Sequence, residues 1–246
     1  MLRSIQVFVL LFAISLGASQ TSAGLVTYNM LDSPSQSPDA QATGDFVGNV
    51  DLFSTNINGG GGNFNSGGRW GLWSNGAQSS SQSESFSSLS GIGRSLNQTG
   101  DFFRINFRNQ SIANGGSVGV YLLNSSNQVM TTMYFSGGGT HYQINDGGGN
   151  SSTGFGYSTN AFELGFELSN SSGGYSLTIG SQTLSRSFAN FGSGISSFVV
   201  FNNNANVGGD VTFNNVRLNA VPEPTSGLLI GLFGLIAGVR RYRHTT

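Results

Sequence analysis

Apolar and polar residues alternate through most of the middle of this chain. Phe103, Ile105 and Phe107 interleave with Arg104, Asn106 and Arg108. Val118, Val120 and Leu122 repeat the pattern, and Thr131, Met133 and Phe135 follow. The clearest run is Phe162-Glu163-Leu164-Gly165-Phe166-Glu167-Leu168, whose apolar side chains share one parity. Tyr175, Leu177 and Ile179, then Phe198 and Val200, then Val211 and Phe213, continue it. A period of two sends successive side chains to opposite faces of a strand, so each segment predicts one wet and one buried face. Between the segments stand Asn58 to Asn63, Asn114 to Gly116, Gly137 to Gly139, Asp146 to Asn150 and Asn170 to Gly174. Glycine and asparagine supply the positive φ that tight turns need. About a dozen short strands at this spacing predict an all-β fold, an antiparallel two-sheet sandwich or jelly roll. The chain's 19 phenylalanines are enough to fill the space between two sheets.

The two ends break the pattern. Met1-Leu2-Arg3 is a short positive start, Ile5 to Leu16 is apolar, and Thr21-Ser22-Ala23 places small residues before Gly24. That layout predicts a secretory signal peptide over 1–23, with a signal helix. At the other end Val221-Pro222-Glu223-Pro224 precedes an uncharged run, Gly227 to Val239, and then Arg240-Arg241-Tyr242-Arg243. Counted from Thr225 the run has about 15 residues and reaches roughly 22 Å as a helix. A typical bilayer core needs roughly 20 residues, so a spanning helix over 227–239 relies on local thinning or on snorkelling arginines. Arg240, Arg241 and Arg243 form a cluster that is retained on the cytoplasmic side. Gly227, Gly231, Gly234 and Gly238 keep one helix face small, which permits close helix approach. The prolines make Val221 to Pro224 an extended, accessible linker. The expected organisation is therefore a signal peptide (1–23), a β-sandwich domain (24–220) and a tail (221–246).

Pro-Glu-Pro, a glycine-spaced hydrophobic helix and a terminal arginine cluster, in that order, resemble the PEP-CTERM sorting signal of Gram-negative bacteria. The resemblance covers the last 26 residues. It implies an exosortase as partner, a membrane-embedded cysteine protease and transpeptidase that acts at or near Val221, Pro222, Glu223 and Pro224. It also implies a precursor held transiently in the inner membrane, then a mature protein at the cell surface or in the exopolysaccharide matrix.

Composition narrows the classes further. Between residues 24 and 220 six arginines stand against ten acids, a balance of −4, and the chain has no lysine. Such a sequence offers no basic run, which argues against nucleic acid as partner. Cysteine is absent, so no disulfide is formed although the expected compartment is oxidising. A domain of this length can bury enough core without one.

Several segments also resemble exported bacterial concanavalin A-like sandwich domains. They are Arg69 to Trp73, Gly119 to Leu122, His141 to Gly147, Phe201 to Ala205 and Val211 to Val216. The resemblance implies a two-sheet jelly roll. It fixes no activity, since that fold hosts lectins, hydrolases and inert spacers.

Candidate chemistry is sparse. Glu163 and Glu167 lie four apart on one strand face, roughly 13 Å at about 3.3 Å per residue. Retaining glycosidases need about 5 to 5.5 Å and inverting ones about 6.5 to 9.5 Å. The laminarinase-like signature has an aspartate midway, where this chain has Gly165. Only His141 lies outside the tail, His244 being the other histidine, so a zinc or copper site is not expected. Calcium, which takes oxygen ligands, could use Asp146, Asp210 and the Asn202-Asn203-Asn204 loop; no other cofactor is implied. No Gly-x-Ser-x-Gly elbow stands in a strand-to-helix setting, and only His141 could act as the base of a serine nucleophile. Exposed aromatics can stack on sugars, and Trp70, Trp73, Tyr142 and Tyr157 are the candidates. Trp70 and Trp73 are three apart, so one faces the core and the other is free to meet a glycan. The expectation is a non-enzymatic surface or matrix protein, with a carbohydrate-binding module as the alternative and a glycoside hydrolase behind both.

Overall fold

The computed structural model of the chain describes residues 24–28, 54–58, 61–66, 69–76, 78–86, 92–205 and 209–221. The expected signal helix, the spanning segment 227–239, Pro222, Glu223, Pro224 and the arginines Arg240, Arg241 and Arg243 lie outside these residues. Among the described residues no helix is long and apolar enough to cross a membrane. They belong to one compact unit, Gly24–Val221.

Fifteen strands stand among the described residues. The first five are β1 (Gly24–Tyr28), β2 (Ser54–Asn58), β3 (Gly61–Ser66), β4 (Arg69–Ser74) and β5 (Ser79–Ser85). The next five are β6 (Phe102–Asn109), β7 (Ser117–Asn124), β8 (Val129–Ser136), β9 (His141–Asn145) and β10 (Asn150–Gly156). The last five are β11 (Phe162–Leu168), β12 (Gly174–Ile179), β13 (Gln182–Ser187), β14 (Ile195–Asn203) and β15 (Val211–Ala220). They form two antiparallel sheets. Sheet A runs β13-β12-β11-β6-β15-β4-β3, with β1 also on β15, and sheet B runs β10-β9-β8-β7-β14-β5-β2. This is the two-sheet sandwich that the alternation predicts.

The alternating residues land where their parity sends them. Phe103, Ile105, Phe107, Val118, Val120, Leu122, Leu164, Phe166, Leu177 and Phe213 are all fully buried. The two inner faces meet through rings: Phe103 and Phe198 have centroids 4.7 Å apart, and Phe162 meets Tyr142 edge-on at 5.1 Å. Strands β2, β5 and β13 are built largely from serine, threonine, asparagine and glutamine. Their strand form comes from backbone pairing with neighbours rather than from an apolar face.

Strand β15 does two jobs. Its first residues pair with β4 and its last with β1, both along the same edge, while β6 follows its other edge. A register shift between Asn214 and Arg217 separates the halves, and Asn215 there has φ +51°. Asparagine tolerates this left-handed conformation better than most residues. Gly24 pairs with Ala220, so the sandwich begins and ends at one place.

Polar cross-links fasten the sheets. Asp146, in the β9–β10 turn, accepts hydrogen bonds from Thr131 Oγ1 (2.6 Å) and Tyr175 Oη (2.5 Å) and pairs with Arg186 of β13. Burial first, and then the bond to Asp146, push the Tyr175 phenol pKa up. The Asn202 side chain donates to the carbonyls of Leu72 (3.0 Å) and Gly209 (2.9 Å) and accepts from Ser74 Oγ (2.7 Å). Asp101, fully buried, accepts from the backbone N–H groups of Asn97, Gln98 and Val221 and pairs with Arg94.

Candidate functional site

The strongest surface feature is the outward face of sheet A, and it starts in a hairpin. Strands β3 and β4 carry Gly62-Asn63-Phe64 and Gly71-Leu72-Trp73. Antiparallel pairing sets Gly62 opposite Trp73 and Phe64 opposite Gly71. Each glycine is covered by the ring across from it. A Cβ on Gly62 would stand 2.6 Å from Trp73 Nε1, and one on Gly71 would overlap the Phe64 ring. Both rings therefore lie against the sheet, half-buried, with their other faces outward.

Next to them runs a polar row. Thr212 of β15 is in register with both Gly71 and Arg108. The Arg69 guanidinium reaches across two strands, from Nε to Thr212 Oγ1 (3.1 Å), from Nη1 to Asn106 Oδ1 (2.6 Å) and from Nη2 to Asn106 O (2.8 Å). Burial and then the charge of Arg108 lower the Arg69 pKa to about 10, so it stays a cation at neutral pH. Arg108 is exposed and donates Nε to Thr159 O at 2.8 Å.

Farther along the same face lies a ladder of ion pairs. Arg104 bridges Glu163 (3.3 Å) and Glu167 (2.9 Å), and Arg217 also holds Glu163. The Arg104 Cζ stands 4.7 Å from the centroid of the Phe102 ring. Glu163 and Glu167 do share one face, as their spacing predicts, and each is engaged by arginine.

Other sequence candidates go elsewhere. Tyr142 is not a surface aromatic: it is fully buried, its hydroxyl donates to Asn109, and burial pushes its pKa up. Its position on β9 has the parity of Ile144, and that parity faces the core. Trp70 is likewise fully buried, whereas Trp73 is half-exposed, so the three-residue spacing sorts them as expected. Tyr157 is 37 % exposed and stacks on Phe135 at 4.7 Å, at the sheet B edge and away from Trp73. Asp146 and Asp210 are not brought together. Asp146 is tied to β13, and Asp210, whose carboxyl pKa burial raises, leads into β15, four strands along sheet A. The Asn202 amide is engaged in the core rather than in a loop site. Among the described residues no group of three or more His, Asp or Glu side chains is placed to hold a metal. Of the sorting motif, Val221 alone is described: its N–H donates to Asp101 and its carbonyl accepts from Arg94 Nη2 at 2.6 Å.

Sequence reasoning missed Phe64, Arg69, Arg108 and the glycines beneath the rings. One signal was present, the Gly-x-aromatic triplet repeated on both arms of a hairpin.

No protein-family model and no curated protein matches the chain. Among solved structures it is similar to the conserved carbohydrate esterase of the Shiga toxin-encoding bacteriophage phi24B, at 11% identity and TM-score 0.53, covering 82% of this chain and 99% of that one. It is similar to the CBM2 module of the evolved Dit of Lactobacillus casei BL23 phage J-1, at 12% identity and TM-score 0.50, covering 81% and 98%. A sialidase matches at 11% identity and TM-score 0.51 over 63% of this chain, and the chain spans 16% of the sialidase. At these identities the likeness is one of fold. The described residues form an antiparallel two-sheet jelly-roll sandwich.

Proposed function

We propose that this chain is an exported protein of the cell surface or exopolysaccharide matrix that holds polysaccharide without cleaving it. The observation that carries the reading is the pair of rings on sheet A. Trp73 and Phe64 lie flat against glycines, beside Arg69, Asn106 and Thr212. A flat ring stacks on a sugar face, and amides, hydroxyls and guanidinium groups bond its hydroxyls. The ion-paired state of Glu163 and Glu167 favours a structural role for these acids over proton transfer. Delivery rests on the sequence: a signal peptide, then a tail resembling the PEP-CTERM signal, cut by an exosortase at Pro222-Glu223-Pro224.

Two measurements test the parts. The W73A/F64A variant is expected to lose retention on polysaccharide from the producing cells while its Tm moves by only a few degrees. Unchanged retention removes the ring pair from the function. Replacing Pro222-Glu223-Pro224 by alanines is expected to leave a full-length chain in the inner membrane, whereas the unaltered chain appears outside the cell without its tail. If both stay intact in the membrane, the tail is an anchor and nothing more.

A further inference from the structure

Charge is distributed unevenly between the two sheets. On the strands of sheet B the only charged residue is Glu84. The strands of sheet A carry Arg69, Arg104, Arg108, Arg186, Arg217, Glu163 and Glu167. Arg186 belongs to the Asp146 cross-link, and the other four arginines stand on the outward face. Glu163 and Glu167 there neutralise Arg104 and Arg217. Arg69 and Arg108 have no acidic partner among the described residues, and Asp210 stands beyond them at the start of β15. A domain of net −4 thus carries, on one face, two cations that no described acid pairs.

We propose that Arg69 and Arg108 form a binding site for the carboxylate of an acidic polysaccharide, next to the Phe64 and Trp73 rings. This deepens the polysaccharide reading and rests on it. Arg69 is locked in place by Thr212 and Asn106 and supplies fixed positive charge. Among the described residues Arg108 is anchored through Nε alone, and its exposed guanidinium keeps both terminal nitrogens for an end-on, two-pronged contact with a carboxylate. The Phe64 ring covers Gly71, two strands from Arg108, which at about 4.8 Å per strand is roughly 10 Å. One sugar stacked on the ring and the carboxylate of a neighbouring unit on Arg108 fit that separation. The sparse charge of a uronate chain suits two cations in an otherwise acidic domain. The dense charge of nucleic acid does not, because the ten acids repel it.

The test compares polygalacturonate with its fully methyl-esterified form, which keeps the sugars and removes the charge. The full-length protein in mild detergent is titrated with each by calorimetry, at low and high salt, and with double-stranded DNA as a third ligand. The acid form is expected to bind about tenfold tighter or more than the ester and to weaken with salt. Arg108→Gln is expected to erase that preference and Arg108→Lys to restore part of it, with Tm little changed in either. If acid and ester bind equally, the carboxylate site is wrong while the polysaccharide reading stands. If neither binds, both fall. DNA binding as tight as that of polygalacturonate would overturn the proposal in favour of a general polyanion surface.

Discussion

Gln82 is an inward residue of β5 that no apolar pattern explains. It is fully buried, in register with Val200, and neither its Oε1 nor its Nε2 has a hydrogen-bond partner among the described residues. A buried amide left unpaired costs stability, and an apolar side chain of similar volume removes that cost. Gln82→Met is expected to raise stability by about 1 to 3 kcal/mol, read as a higher urea midpoint at unchanged slope. A lower midpoint would show that the amide is bonded, a buried water being the first suspect. Single residues also mark how far the sequence could be read. Phe103 and Leu164 declare their burial by parity alone. Tyr142 does not, because a tyrosine on an alternating strand suits either face until a partner such as Asn109 is in place.

At the scale of the element, the β3–β4 hairpin shows how glycine and ring depend on each other. Gly71 is there because Phe64 occupies the space of its Cβ. Gly71→Ala is expected to displace the ring and destabilise the hairpin by about 1 to 3 kcal/mol, the usual cost of overpacking. In the Phe64→Ala background the same change should cost much less. A double-mutant cycle by thermal unfolding measures the difference, and additive effects would mean that the ring does not rest on Gly71. The alternating strands were legible as elements, since parity is a local property. The serine-rich β2, β5 and β13 were not, because nothing in their own sequence prefers a strand over a loop and only their partners' backbone groups hold them extended.

Across the whole molecule, the sandwich is closed by contacts between residues far apart in the chain. Asp101 ties the 97–101 turn to Val221, and Arg94 clasps both. Asp101→Ala leaves Arg94 without its buried partner and is expected to cost about 3 to 5 kcal/mol in chemical denaturation. A loss within about 0.5 kcal/mol would mean that this closure is peripheral. The same long-range assembly makes the candidate site. Read along the chain, Arg69, Arg104, Arg108 and Arg217 are scattered, and no basic run exists between residues 24 and 220. Strand order brings β4, β15 and β6 together and shared parity turns all four arginines outward. What the sequence by itself determined is the all-β class, the burial parity of the alternating strands and the turns between them. These follow from interactions among neighbours in the chain. Which strands pair, which arginines find a carboxylate and which rings lie over which glycines were decided by tertiary structure alone, because register and sheet order depend on the joint packing of distant segments.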